Sequence, residues 1–113
     1  MRSKAMISLL TTVLTLTSGL LLEPALADAE TNAVIGRLGL GCKNRVIEQF
    51  DVPNSDITVR LGATLQESLD SGAMTADDLK RGGASFDWSV SGKSASGYCN
   101  VDDKGHVTEF KQF

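Results

Sequence analysis

The spacing of apolar residues after position 34 follows the period of a helix. At about 100° per residue the apolar side chains fall in one stripe, and Arg37 and Glu48 lie away from its centre. This stripe comprises Val34, Ile35, Leu38, Cys42, Val46 and Phe50. The pattern predicts an amphipathic helix that Thr31 or Asn32 caps and that ends before Pro53.

Glycines interrupt this predicted helix at positions 36, 39 and 41. Each glycine inside a helix costs about 1 kcal/mol relative to alanine. The first half of the helix is therefore expected either to fray or to approach a sheet very closely.

Four later segments alternate apolar and polar residues, which is typical of half-buried strands. The first begins at Ile57 and keeps its parity through Leu65, and the others cover 86–90, 97–101 and 106–110. The turn at 102–105 has acids and then a glycine, which favours a hairpin. Val107 and Phe110 have opposite parity, so we expect a bulge in the last strand.

The alternation stops between Glu67 and Gly83. Thr75 and Asp78 lie three positions apart, as in a capping box, and they predict a single helical turn within an otherwise long loop. Glycine-containing hinges at 71–72 and 82–83 flank the central part of this loop.

These elements predict an α+β fold, with one amphipathic helix packed on a four-stranded antiparallel sheet. Their order along the chain is helix, strand, long loop and three-strand meander. Phe86, Trp88 and Val90 share one strand face, and we expect Trp88 to belong to the core rather than to a ligand platform.

The two cysteines lie on surfaces that this fold would bring together. Cys42 is in the middle of the helical stripe, and Cys99 shares the apolar parity of its strand. A disulfide between Cys42 and Cys99 is the favoured interpretation for an exported domain. The alternatives are two buried free thiols, or one cysteine that pairs with another chain.

The start of the chain has the pattern of a secretory signal peptide. Arg2 and Lys4 precede an uncharged, largely apolar run that ends at Glu23-Pro24, and the residues Ala25-Leu26-Ala27 form a small-x-small cleavage signal. We therefore expect a signal peptide over 1–27 and one mature domain over 28–113, secreted or periplasmic and without membrane insertion after cleavage. The alternative is an uncleaved anchor, which the hydroxyl residues of the run and its proline disfavour.

Charge narrows the classes of partner. The formal net charge is −3, and no cluster of lysine and arginine occurs in the sequence. This balance argues against nucleic acid and against anionic membrane surfaces as partners.

Several local phrases resemble the PepSY family of small exported domains. They are a helix that ends in Val-Ile-Glu-Gln-Phe, the junction 52–59, the run 86–90 and the hairpin 101–107. The resemblance implies one helix paired with an antiparallel sheet and a non-catalytic, extracytoplasmic role, proposed for the family as binding or restraining secreted peptidases. It carries over no catalytic residue.

The chemistry-bearing residues suggest no enzyme or cofactor. His106, the single histidine, follows a glycine turn and is expected to be a surface residue rather than part of a triad. The acidic pairs at 77–78 and 102–103 lack the ligand spacing of a calcium loop, and two cysteines with one histidine do not make a structural zinc site. We therefore predict no catalytic residue, no metal and no cofactor.

The segment 67–83 is the favoured contact for a protein partner. Long loops in small domains are more often functional than idle. The candidate contact residues are Met74, Asp77, Asp78, Lys80 and Arg81. The alternative is that Met74 and Leu79 only cover one end of the core, and the alternative function is a structural, envelope-associated domain without a specific ligand.

Overall fold

The computed structural model of the chain describes residues 29–113, and the signal peptide expected over 1–27 lies outside them. Helix α1 is described over 29–50. The elements that follow are β1 (Ile57–Leu61), α2 (Ala63–Ser71), α3 (Ala76–Gly82), β2 (Ala84–Val90), β3 (Ala95–Val101) and β4 (Val107–Gln112). The four strands form one antiparallel sheet in the order β1-β2-β3-β4, so the predicted α+β fold is confirmed.

Two sequence predictions between β1 and β2 were wrong. The first strand ends at Leu61 rather than continuing through Leu65, and the expected long loop consists largely of two helices, α2 and α3. Apolar residues at 61, 65 and 69 share the parity of a strand, but they are also four apart, as on one helix face. The spacing of these apolar residues therefore fits either a strand or a helix, and in the structure a helix begins at Ala63.

Both predicted hinges in this segment are helix ends. Gly72 and Gly83 follow α2 and α3 with φ of 83° and 76°. Such positive φ values are accessible to glycine at little cost, which explains why glycine stands at both positions. The capping box predicted from Thr75 and Asp78 is confirmed at the start of α3.

Helix α1 matches its predicted face but not its predicted start. Thr31 and Asn32 lie inside the described helix rather than at its cap. Ala29 and Glu30, which precede them, are good helix formers and are helical as well. At the other end, Asp51 has a positive φ of 51°, and Pro53 follows.

The core lies between α1 and one face of the sheet. From α1, the side chains of Val34, Leu38, Cys42 and Val46 are buried. The strands contribute Ile57, Ala84, Phe86, Trp88, Val90, Ala95, Cys99 and Val101 to the same cluster. The opposite face of the sheet is not covered by α1.

The glycines of α1 allow close packing. A side chain at Gly41 would overlap the carbonyl oxygen of Gly105 in the β3–β4 turn, and a Cβ at Gly39 would lie 3.2 Å from the Phe86 ring. Arg37 Nη1 donates to the Asp103 carbonyl oxygen of the same turn at 3.3 Å. Of the two expectations for this half of the helix, close approach to the sheet is the correct one.

Trp88 crosses the neighbouring strand at a glycine. A Cβ at Gly97 would lie 2.7 Å from Trp88 Cζ2, so only glycine leaves room for the indole. The indole stacks on Phe110 of β4 with ring centroids 5.1 Å apart, and its Nε1 donates to the Tyr98 carbonyl oxygen at 3.3 Å. Trp88 is 2% exposed, which confirms its place in the core.

The predicted bulge is present in β4. The register shifts between Asn100, which pairs with Glu109, and Val101, which pairs with Val107. The extra residue is Thr108, and this irregularity lets Val107 and Phe110 both pack against the core despite their opposite parity.

Across residues 29–113, the structure contains no helix with the length and apolar character needed to cross a membrane.

Candidate functional site

The five residues predicted to contact a partner lie on the α2–α3 hairpin. Met74 is in the link between the two helices and is half-buried against the core. Asp77, Asp78, Lys80 and Arg81 belong to α3. The structure therefore places all of them on one short, ordered segment rather than on an open loop.

Leu79 attaches this hairpin to the rest of the protein. It is fully buried in the core cluster, whereas α2 has no fully buried residue. Met74, Leu65 and Leu69 pack against the cluster from its margin. Leu79 thus covers one end of the core, as the alternative to partner contact has it for this residue, and the charged side of α3 faces solvent.

Asp78 organises the start of α3. Its Oδ2 accepts hydrogen bonds from the Thr75 backbone N–H at 2.9 Å and from the Thr75 hydroxyl at 3.2 Å. Its Oδ1 accepts from Arg81 Nη2 at 2.7 Å. The bond from the Thr75 N–H, with help from the Arg81 charge, lowers the pKa of Asp78. Asp78 therefore shapes the hairpin, while Asp77 and Lys80 lie on its solvent side, with Lys80 Nζ 3.8 Å from Asp77 Oδ1.

A groove of about 480 Å³ separates the hairpin from the sheet. Leu65 and Met74 form its apolar side. The polar side comes from Ser85, Asn100 and Thr108, and Asp78 and Asp102 also line it. An apolar wall beside hydrogen-bonding groups is the usual composition of a binding groove.

The polar side of the groove is an ordered network. The Ser85 hydroxyl donates to Asn100 Oδ1 at 2.5 Å, and Asn100 Nδ2 donates to Glu109 Oε1 at 2.9 Å. Partial burial raises the pKa of the neighbouring Tyr98, and the Glu109 carboxylate raises it further. The cross-strand bonds hold the side chains of three strands in fixed positions at the edge of the groove.

Sequence reasoning missed these groove residues on the sheet. Ser85 and Asn100 are directly opposite in the β2–β3 register. The turn between these strands covers 91–94, and only from that exact turn does counting outward pair Ser85 with Asn100; a turn placed at 92–94 would pair Ser85 with Val101. Their proximity to Met74 could not be predicted, because it depends on how the hairpin folds back over the sheet.

Cys42 and Cys99 lie at disulfide distance in the buried core. Their Cα atoms are 6.1 Å apart, and both side chains are fully buried. The bridge joins the centre of α1 to β3 and so fixes the helix over the sheet. In this pairing neither sulfur is a nucleophile.

His106 and Asp102 belong to the turn before β4. Asp102 Oδ1 accepts from the backbone N–H groups of His106 and Lys104, each at 2.9 Å. The His106 N–H bond is the largest cause of a lowered Asp102 pKa, and the Lys104 N–H adds to it. The His106 side chain is 77% exposed, with Nδ1 3.6 Å from Asp102 Oδ2. This geometry is that of a turn closed by an aspartate.

The described residues also contain no group of three or more histidines, cysteines or acids that could hold a metal ion.

Comparison with known proteins yields no relative. Neither the family models, nor the curated proteins, nor the solved structures include a match to this chain. The resemblance to the PepSY family therefore stays a prediction, and any function has to be argued from the molecule itself.

Proposed function

We propose that this protein is an exported, non-catalytic binding module whose α2–α3 hairpin contacts a partner protein, such as a secreted peptidase that it restrains. The observation that carries the proposal is the groove between the hairpin and the open side of the sheet. Its apolar residues, Leu65 and Met74, adjoin exposed charges of α3, with the Asp77 side chain 71% exposed and that of Lys80 43% exposed. Apolar centres with a charged rim are typical of protein interfaces.

An extracytoplasmic location is part of the proposal. Its supports are the signal-like start of the chain and the buried cysteine pair at disulfide distance. A small domain with such a cross-link presents a rigid surface, which lowers the entropic cost of binding a partner.

Affinity capture tests the proposal. The full chain, expressed with a C-terminal tag in its native host, is isolated from the envelope and from the culture fluid, and the co-purified proteins are identified. The test variant combines Met74→Gln and Asp77→Lys, which alter the groove and its rim but leave Leu79 and the capping box in place. The control is Lys93→Glu, a charge reversal in the exposed β2–β3 turn.

The wild type and the Lys93→Glu control should capture the same partner, and the double variant should lose most of it with a melting temperature within a few degrees of wild type. A partner retained by the double variant would show that the hairpin is not the binding element. Wild-type protein that captures nothing in either fraction would favour the structural role instead.

An activity assay tests the non-catalytic part. Culture-fluid peptidases should cleave fluorescent casein more slowly when the purified protein is added, while the protein alone should release no fluorescence. Casein cleavage by the protein alone would overturn the assignment.

A further inference from the structure

The β1 edge of the sheet offers unpaired peptide groups. Gly62 N–H donates to the Ser85 carbonyl oxygen, and Ser91 N–H donates to that of Asp56. Because alternate residues of an antiparallel strand face the partner strand, the peptide groups at 56, 58, 60 and 62 face β2. Those of Ile57, Val59 and Leu61 therefore point away from β2. The Ile57 N–H donates to the Asn54 carbonyl oxygen of the preceding turn, whereas no other described strand pairs with Val59 and Leu61.

An apolar groove lies directly beside this edge. It has a volume of about 280 Å³ between α1 and β1, and Val59 and Phe86 form its floor. Ile35 and Leu40 of α1 line its wall, and the Leu40 side chain is 55% exposed. At Gly36 a side chain would meet nothing within 4 Å, so the helix leaves the groove open.

The groove has one charged residue, Lys43. Within the described part of the chain, no carboxylate lies at ion-pair distance from its ammonium group. Arg60, the nearest charge along β1, has the opposite parity and faces the other side of the sheet. The groove thus combines an apolar floor with a single unneutralised positive charge.

We propose that the β1 edge and this groove bind an extended, acidic peptide segment of a partner protein as a fifth strand. Its backbone pairs with the outward groups of Val59 and Leu61, an apolar side chain packs on Val59, and an acidic side chain meets Lys43. Main-chain bonds supply affinity in this mode, and the side chains on alternate positions supply specificity. The inference goes beyond the proposed function, because it concerns a second surface and names the chemistry of its ligand.

A display library of random nonapeptides, selected on the full disulfide-bonded chain, is the probe. Enriched peptides should alternate apolar residues with others and carry an acid on the apolar face. Addition of a synthetic enriched peptide should shift the amide resonances of 59 and 61 in a ¹H–¹⁵N spectrum. Methylation of its central backbone amides should abolish binding, since the added strand then cannot pair.

Two matched charge reversals test the role of Lys43. Lys43→Glu should lower the affinity for the enriched peptides by about tenfold or more. Arg60→Glu, whose side chain lies on the other face of the sheet, should leave that affinity unchanged. Both variants change solvent-accessible side chains, and their melting temperatures check the fold.

Three results would overturn the inference: no enriched peptide, equal affinity for the Lys43→Glu variant, or resonance shifts confined to β4 or to the α2–α3 hairpin. A concentration-dependent dimer that protects the β1 amides would also overturn it, because a second copy would then be the occupant. None of these results depends on capture of the native partner, so failure here and failure of the proposed function are distinguishable.

Discussion

Helix α1 and the α2–α3 hairpin are attached to the same sheet in different ways. α1 buries four side chains along its length and is joined to β3 through Cys42 and Cys99. The hairpin buries one, Leu79, and its remaining apolar residues lie at the margin of the core. A long, cross-linked contact should open only with the whole domain, whereas a contact centred on one residue can open locally.

This difference indicates that α1 determines the fold more strongly than the α2–α3 hairpin does. The residues of α1 that contact the sheet are constrained by close packing, as at Gly41 against Gly105. The hairpin is held by Leu79 inside and a capped start to α3, so its outer residues are less constrained by packing. The predictions below test this contrast, from the largest effect to the smallest.

Reduction of the Cys42–Cys99 bond should have the largest effect. The bridge spans a sequence separation of 57, for which the chain-entropy model gives a stabilisation of about 4 kcal/mol. Urea unfolding of the oxidised and the reduced wild type measures the difference without changing any other side chain. For a domain this small, the reduced form should be largely unfolded at 37 °C.

Thiol titration is the control for this experiment. The unreduced protein, denatured in guanidinium, should show no reactive thiol, and the reduced protein should show two. Two reactive thiols before reduction would mean that the bridge is not formed in the isolated protein.

Replacement of one buried leucine in α1 and one in the hairpin compares how firmly the two are attached to the sheet. Leu38→Ala and Leu79→Ala remove the same atoms from fully buried sites, and each should cost about 3 kcal/mol. Leu79→Ala should speed hydrogen exchange in α2 and α3 through local opening, while Leu38→Ala should speed it mainly in the sheet and α1. Exchange followed by NMR distinguishes the two patterns.

Equal acceleration of the hairpin and the sheet by Leu38→Ala would contradict the contrast, because the hairpin would then open only with the whole domain. Leu40→Ala is the matched control on α1. Leu40 is 55% exposed, so its replacement should change stability by less than about 0.5 kcal/mol.

The sequence predicted the α1 side of the molecule better than the hairpin side. The helical stripe, the parity of Cys99 and the β3–β4 turn depend on local periods and turn chemistry, and all three are present in the structure. The second helix was missed because Leu61, Leu65 and Leu69 satisfy the spacing of a strand and of a helix face equally well. Nothing local in that segment excluded the strand.

The candidate groove could be predicted only in part. Met74, Asp77 and Lys80 were identified because they stand in a segment without strand periodicity. The sheet residues that face them were missed because this contact joins distant parts of the chain. Gly97 was not predictable for the same reason. A glycine inside a strand usually weakens the strand, and only the position of the Trp88 ring in the folded protein explains why glycine is needed there.

Loss of the α3 cap should have a smaller, local effect. Thr75→Ala removes the hydroxyl of the capping box and should cost about 1 kcal/mol, seen as faster exchange in α3. Thr64→Ala makes the same change within α2, where alanine is a better helix former, and should not destabilise the protein. If both variants behave alike, the capping box does not hold the hairpin in place.

The acid response of the β3–β4 turn should be the smallest effect. The pKa of Asp102 lies below its ordinary value of 3.8, chiefly because the His106 N–H donates to its carboxylate. A carboxyl whose pKa is lower in the folded than in the unfolded state stabilises the fold above the unfolded value and loses this contribution as the pH falls through the folded value. Wild-type stability should therefore decline below about pH 4 partly through this group.

Asp102→Asn should remove that part of the decline, because the amide oxygen still accepts from the His106 and Lys104 N–H groups but cannot be protonated in this range. The measurement is urea unfolding between about pH 5 and pH 2.5. Asp103→Asn removes the same charge but leaves both hydrogen bonds to the Asp102 carboxylate in place, so the part of the decline that Asp102 supplies should remain. Equal slopes for the Asp102→Asn variant and the wild type would mean that the turn hydrogen bonds persist in the unfolded chain, since only a pKa difference between the two states makes stability depend on pH.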